Sequence, residues 1–322
     1  MIKLEIFPNQ EPISWDNFCT STPEYSVAID GYVNTGPRFQ NIYDGGPRAN
    51  FNHHEEVDRL ATRATCSQVL MAIRTGFYNA FRKDDEIHCS VFANDNDQDV
   101  CTSYFILKHP WLCEKAINPM LNKLVDIEDR LDTTGGAYPF PKDLPILRNL
   151  AWVFKPYTDF RLKGGLERGI RKEYISVIDR IEDRINRYLN NKCGSIKLDT
   201  RYEVIHRTTN WSMVKEIGAQ ARTGMLHDGI YAYLSVRERN DGNYNYTVGR
   251  MSPFIQFDVA GLLEYFTKFE SNPDAKWGGG STSGINIGGS SRKLGSSITP
   301  ERLIILTKEH HERQLKKSKS AV

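Results

Sequence analysis

Three things are missing from this 322-residue chain: a C-x-x-C pair, an apolar run of membrane-spanning length, and a surplus of one charge. Each absence removes a class of protein. The cysteines Cys19, Cys66, Cys89, Cys101, Cys113 and Cys193 are scattered through segments patterned as helix or strand. Neither a disulfide framework nor a structural zinc site is expected, and a reducing cytoplasmic setting fits. A membrane helix needs roughly 20 apolar residues, and no run approaches that. The opening MIKLEIFPNQ lacks a long apolar core and is broken by Glu5 and Pro8, so neither export nor membrane insertion is expected. With 42 Lys and Arg against 40 Asp and Glu, the net charge of +2 gives no basic surface for duplex nucleic acid. An anionic partner must therefore be held by a local site. No lysine follows a glycine-rich loop in the P-loop manner, and no G-x-G-x-x-G opens a helix after a strand.

What is present reads as α/β. SVAIDGYV (26–33) is a short β-rich run that delivers Asp30 to the carboxyl end of a strand. A loop dense in Gly, Pro and Asn follows, PRFQNIYDGGPRAN. From His54 the spacing of Val57, Leu60, Ala61 and Ala64 predicts a helix running through Met71, with Asn52 as its N-cap and Glu55 and Glu56 at the positive end of its dipole. IHCSVFA (87–93) predicts a second strand, followed by NDNDQD and a helix. Strand, acidic turn and helix in series predict a parallel or mixed sheet with flanking helices, whose ligand sites gather at the carboxyl ends of the strands.

A long amphipathic helix is predicted over about 164–191. Its apolar stripe is Tyr174, Ile178, Ile181 and Ile185, and its remaining surface is polar enough for a connector between domains. Beyond it YEVIHRT, GIYAYLSVRER and YNYTVGRM alternate as strands, with Asn240-Asp241-Gly242 as a hairpin turn between the last two. The expected organisation is a metal-site α/β domain over 1–163, a connecting helix over 164–192, and a smaller substrate-binding α+β domain over 193–322. Within the latter, the Gly/Ser-rich stretch 277–297 is a linker in one reading, opposed by the interleaved Trp277, Ile285, Ile287 and Leu294. A final strand or helix, PERLIILTKEHHERQ, precedes a basic tail KKSKSAV expected to be disordered.

The most specific local pattern is Asp95-x-Asp97-x-Asp99 directly after a strand. Alternate carboxylates at such a turn can converge on a hard divalent cation, or form an acidic surface turn. An EF-hand is a poor third reading, because the sixth loop position is Val100 rather than Gly and no Glu closes the loop. His53 and His54 either decorate a helix start or add imidazole to these carboxylates, a mixture suited to a hydrolase metal site. A third acidic group, Asp126, Glu128, Asp129 and Asp132, is a solvated helix face or a contributor to the same site. In the second domain Gly288-Gly289-Ser290-Ser291-Arg292 could form a backbone nest for an anion, with Arg250 at the end of a nearby strand.

Together these residues resemble the DHH phosphoesterase superfamily, metal-dependent hydrolases of phosphodiesters and pyrophosphates. Asn52-His53-His54-Glu55 is similar to its Asp-His-His signature, and Asp95-x-Asp97-x-Asp99 to its His-x-Asp-x-Asp motif. Gly288-Gly289-Ser290 with Arg292 is similar to its glycine-rich phosphate motif. Asn52 stands where the family has aspartate, Asp95 where it has histidine, and the first two motifs occur in reverse order. The resemblance implies two Mn²⁺ or Mg²⁺ ions held by His53, Asp95, Asp97, Asp99 and Asp30. It also implies His54 on the substrate phosphate, and Gly288, Gly289, Ser290, Arg292 and Arg250 as substrate-binding groups in a cleft between domains. The implied partner is a small phosphorylated or nucleotide-type substrate, and a homodimer is an allowed assembly. A non-catalytic protein that binds a phosphorylated ligand is the alternative.

Overall fold

The computed structural model describes residues 1–114, 118–279 and 286–320. The chain divides into two compact units: Met1–Gly136 with Asp143–Lys197, and Ala137–Lys142 with Leu198–Val322. The boundary falls at 197/198 rather than 192/193, and a short excursion at 137–142 belongs to the second unit.

In unit 1 the strands are β1 (Ile2–Ile6), β2 (Ser26–Ile29), β3 (Arg38–Gln40), β4 (Arg48–Phe51), a small β5–β6 hairpin (Arg82–Lys83, Glu86–Ile87) and β7 (Cys89–Ala93). The main sheet runs β1-β7-β2-β4-β3, parallel except for the antiparallel edge strand β3. This is the mixed α/β sheet that the sequence predicts. Strand β2 is buried at all its positions, as central parallel strands are. On one face Ala28 and Phe92 pack with Phe18 of helix α1 (Trp15–Ser21), Tyr32 and Val33. The alternate residues Val27, Ile29 and Val91 are also fully buried, so the opposite face is covered too.

The remaining helices of unit 1 are α2 (Thr65–Arg74), α3 (Phe77–Ala80), α4 (Gln98–Lys108), α5 (Pro110–Cys113), α6 (Pro119–Thr133), α7 (Pro145–Val153), α8 (Lys155–Leu162), α9 (Gly165–Arg168) and α10 (Arg171–Leu189). Helix α4 is buried nearly all round and packs against α2, α6 and α10. Helix α10 is not a free connector. Tyr174, Val177, Ile178, Ile181, Ile185 and Tyr188 bury its apolar stripe against α7, α8, α4 and α6. The stripe seen in sequence is thus a core face, and its charged remainder is the solvated side of a domain helix.

The helix predicted from His54 starts eleven residues later in the chain, at Thr65. Residues 52–64 form a loop instead, and Asn52 is not a cap. Its buried amide donates to the Val33 and Thr35 carbonyls at 3.0 and 2.9 Å and to Glu55 at 2.7 Å. The apolar periodicity of Val57, Leu60 and Ala61 was outweighed by backbone groups elsewhere that needed this side chain.

Unit 2 carries β8 (Tyr202–Arg207), β9 (Ser212–Glu216), α11 (Ala221–His227), β10 (Ala232–Glu238), β11 (Tyr244–Arg250), α12 (Val259–Thr267), β12 (Gly278–Gly279), β13 (Ile287–Gly289) and α13 (Pro300–Ser320). Its sheet runs β12-β13-β11-β10-β9-β8, with only the β9–β10 pair parallel. The predicted hairpin joins β10 and β11, with Gly242 at φ 82°. On one face Met213, Leu234, Tyr246 and Val248 pack with Leu262, Phe266, Leu303 and Leu306 of α12 and α13; on the other Val214 and Tyr233 meet Met225 and Leu226 of α11. The last segment resolves as helix, and its backbone stays helical through Ser320, where a disordered tail was expected. Ile285 lies outside the described residues, as do Ala321 and Val322.

Candidate metal centre

Strands β7, β2 and β4 are adjacent and parallel, so their carboxyl ends open on one side of the sheet. In such sheets this is where ligands bind. Strand β2 delivers Asp30, held in the left-handed region at φ 52° with its amide on the Phe51 carbonyl. Strand β4 delivers Asn52, His53 and His54. Strand β7 delivers the Asp95–Asp99 turn, and α6 adds Asp132 from outside the sheet.

These groups converge. His53 is fully buried, and its Nε2 lies 2.7 Å from Asp132, 3.4 Å from Asp30 and 3.8 Å from Asp99. His54 Nε2 meets the same Asp30 oxygen at 2.9 Å, and the Thr65 hydroxyl donates to it at 3.1 Å. Two sets of ligand atoms are close enough for one ion to span: Asp30, His53 and His54, and His53, Asp99 and Asp132. Despite the short approach, His53 Nε2 and Asp132 Oδ2 are not aligned for a hydrogen bond, and neither atom has a hydrogen-bond partner. Buried polar atoms are rarely orphaned, because desolvation without compensation costs roughly 1–3 kcal/mol each. A nitrogen and an oxygen that close, each without a hydrogen-bond partner, can pair as ions when His53 is protonated or serve as ligands of a shared cation when it is neutral, and imidazole with carboxylate suits a first-row divalent metal.

The electrostatics point the same way. Burial, with the charges of Asp30, Asp95 and Asp132, pushes the Asp97 carboxyl well above the ordinary range. Burial and Asp30 push Asp99 up to about 7. Burial, Asp132 and Asp99 push the Glu128 carboxyl well above the ordinary range. Burial opposes the ionisation of Asp30, but His54 and His53 outweigh it and hold Asp30 well below the usual range. His53 is pushed up to about 10 because Asp132 and Asp30 outweigh its desolvation, and Asp30 raises His54 likewise. The cluster carries more buried carboxylate than its own cations neutralise.

Not every expected ligand converges. Asp97 is the N-cap of α4, its Oδ1 accepting from the Val100 amide at 3.0 Å, and Asp95 accepts from Asn96 at 2.7 Å. Among the described residues neither joins the two converging sets. Asp99 does double duty: its two oxygens accept from the Thr65 and Cys66 amides at 2.7 Å each, capping α2 from the neighbouring helix. The third acidic group splits. Asp126 pairs with Arg130 on an exposed face, Asp129 accepts from the Ala64 amide at 2.6 Å, and only Asp132 enters the centre. Sequence reasoning placed no weight on Arg59 or Thr65. Their only signal was nearness to the histidines.

The predicted anion nest in unit 2 is replaced by sheet. Gly288 and Gly289 lie in β13, paired on both sides with β11 and β12, and Ser290 is bonded through its amide and hydroxyl to Tyr246. A Cβ at Gly289 would collide with the Tyr246 carbonyl, so close strand approach accounts for this glycine. Arg250 is likewise spent inside unit 2, on Asn286 and the Ile255 and Phe257 carbonyls, and the Arg292 carbonyl accepts from Arg239.

Comparison with known proteins finds no matching family model, no matching curated protein and no matching solved structure. Fold and site define the chain as a mixed α/β protein with a candidate Asp/His metal centre at the carboxyl ends of its central strands. No described helix is long and apolar enough to cross a membrane.

Asp97→Asn separates cap from charge. Asparagine caps a helix about as well as aspartate, and neutralising Asp97 relieves repulsion in the cluster. The metal-free variant is expected to melt no lower than wild type, with a smaller rise in Tm on adding Mn²⁺. Differential scanning calorimetry with and without the ion checks both.

Proposed function

We propose that unit 1 is a divalent-metal-dependent phosphoesterase acting on a phosphodiester or pyrophosphate of a nucleotide-type substrate. The observation that carries this reading is the close approach of His53 Nε2 and Asp132 Oδ2, neither with a hydrogen-bond partner, within a buried cluster of carboxylates. Asp30, His53, Asp99 and Asp132 would hold Mn²⁺ or Mg²⁺, with two ions the fuller complement. Such ions supply charge to phosphoryl oxygens and make a water acidic enough to attack at neutral pH. His54 is positioned for the proton and the substrate. Its side chain keeps 31% of its surface exposed, and its ring is bonded to Asp30, which favours the imidazolium. From there it can donate to a phosphoryl or departing oxygen. Asp30 orients that ring, and Thr65 holds Asp30.

The test is metal analysis of dialysed protein together with turnover of bis(p-nitrophenyl) phosphate. The expectation is bound or readily restored Mn²⁺ and hydrolysis abolished by chelation. Absence of both metal uptake and turnover would end the reading. One observation favours a second one, a catalytically inactive protein binding a phosphorylated ligand. Asn52, at the aspartate position of the resembled signature, is consumed by carbonyls and by the His54 amide and offers no anionic ligand. Nucleotide-induced stabilisation without turnover would identify that case.

A further inference from the structure

We infer that Arg59 is the anion-binding group of this centre, the residue that takes a non-reacting phosphoryl oxygen of the substrate. The inference rests on the phosphoesterase reading for its ligand class. The solvent-facing rim of the cluster consists of His54, Asp132 and Arg59, with side chains 31%, 22% and 23% exposed. Asp30, His53 and Asp99 form the buried floor, at 3%, 0% and 0%.

Arg59 is poorly satisfied where it stands. Its Nη2 lies 3.3 Å from His53 Nδ1 and 3.5 Å from the Asp132 carbonyl, both long, and 3.8 Å from the Asp132 carboxylate. Its Nε is buried with no partner at all. The His53 contact is available only while Nδ1 carries no proton. When Nε2 ligates a metal, Nδ1 bears hydrogen and faces the guanidinium as donor against donor. In that state Arg59 loses that acceptor. An ion held by Asp132 competes for its other anionic partner as well.

Loading the centre therefore leaves a guanidinium with most of its five donors free, at the mouth of a site whose ions attract anions. A phosphate presents the complementary array of oxygens, and the planar fork meets two of them at once. Arg59 thus touches two ion-binding groups, His53 and Asp132, without being a ligand itself, which orders the events: metal first, then phosphate.

The experiment measures inorganic phosphate binding by titration calorimetry, to Mn²⁺-loaded and metal-free protein, for wild type, Arg59→Gln and Arg59→Lys. Mn²⁺ affinity is measured alongside, and circular dichroism and thermal melting check the fold. Expected for Arg59→Gln is a loss of phosphate affinity of about tenfold or more in loaded protein, with Mn²⁺ affinity unchanged or higher because a competing cation is gone. Arg59→Lys should recover part of the loss, and KM for bis(p-nitrophenyl) phosphate should rise more than kcat falls. Phosphate binding by Arg59→Gln within about twofold of wild type overturns the inference, as does wild-type protein that binds no phosphate in either state. Failure of wild type to take up Mn²⁺ is a different result. It overturns the phosphoesterase reading, while phosphate binding to metal-free protein still decides the part played by Arg59.

Discussion

Replacing His53 with alanine is expected to remove metal uptake and phosphodiester turnover together, the latter by about three orders of magnitude or more, as loss of metal-assisted chemistry does. His53 is fully buried and shared by both converging sets of ligand atoms. No other described side chain occupies both. Its loss leaves Asp30, Asp99 and Asp132 facing one another with a cavity between them, so the carboxylates repel without the group that bridges them. The variant is checked by metal analysis after dialysis and by the rate with bis(p-nitrophenyl) phosphate at saturating Mn²⁺. Because a buried substitution can also unfold the chain, Asp30→Asn serves beside it. It keeps the shape, removes the charge that His53 and His54 share, and is expected to lose turnover comparably. Turnover within about tenfold of wild type in a folded His53→Ala protein would remove His53 from the site.

The largest expected loss of stability lies in unit 2. Glu216, at the end of β9, accepts from the Ser235 hydroxyl at 2.6 Å and Arg237 at 2.7 Å, and lies 3.4 Å from Arg222. Its side chain is 6% exposed. Glu216→Ala removes the anion that Arg222 and Arg237 share, and because both guanidinium groups keep some contact with solvent the cost is about 1–3 kcal/mol. Burial raises the Glu216 pKa, but Arg222, Ser235 and Arg237 outweigh it, so the folded pKa lies below the ordinary value of 4.5. The contribution is therefore present above the unfolded pKa and is lost as pH falls through the folded one. Urea titrations of wild type and Glu216→Gln should show a gap at pH 7 that narrows steadily below about pH 4.5. A gap independent of pH would mean that packing, not charge, is what Glu216 contributes.

Much of unit 1 could be read from residues alone. The runs SVAI and CSVFA are short, apolar and β-branched, and both are central strands of a parallel sheet. Asp30 and the Asp95–Asp99 turn were placed at strand ends because apolar runs stop there, and a parallel sheet sends such ends to one side; β4, which delivers the histidines, lies in a stretch whose Gly, Pro and Asn content reads as loop. Local pattern failed where a distant group settled the matter. The helix over 54–64 had the right spacing, but Asn52 was drawn into the carbonyls of residues 33 and 35, and α2 begins where Asp99 and Asp129 supply acceptors for its first amides. Those caps lie 33 to 65 residues away in sequence. In unit 2 the glycines of β13 had the composition of an anion nest, and only the pairing of strands on both sides turned them to sheet packing.

By itself the sequence determined the α/β character of the patterning, the strand ends that carry Asp30 and the Asp95–Asp99 turn, and the hairpin at Asn240–Gly242, because these follow from periodicity and turn chemistry over a few neighbouring residues. The tertiary structure alone decided which carboxylates meet His53. Asp132 enters from α6 and Asp99 from α4, while Asp126 stays on a solvated face, although all three are acids in acidic runs. Selection among chemically equal side chains depends on where helix packing points each one, and that information is carried by contacts between residues far apart in the chain.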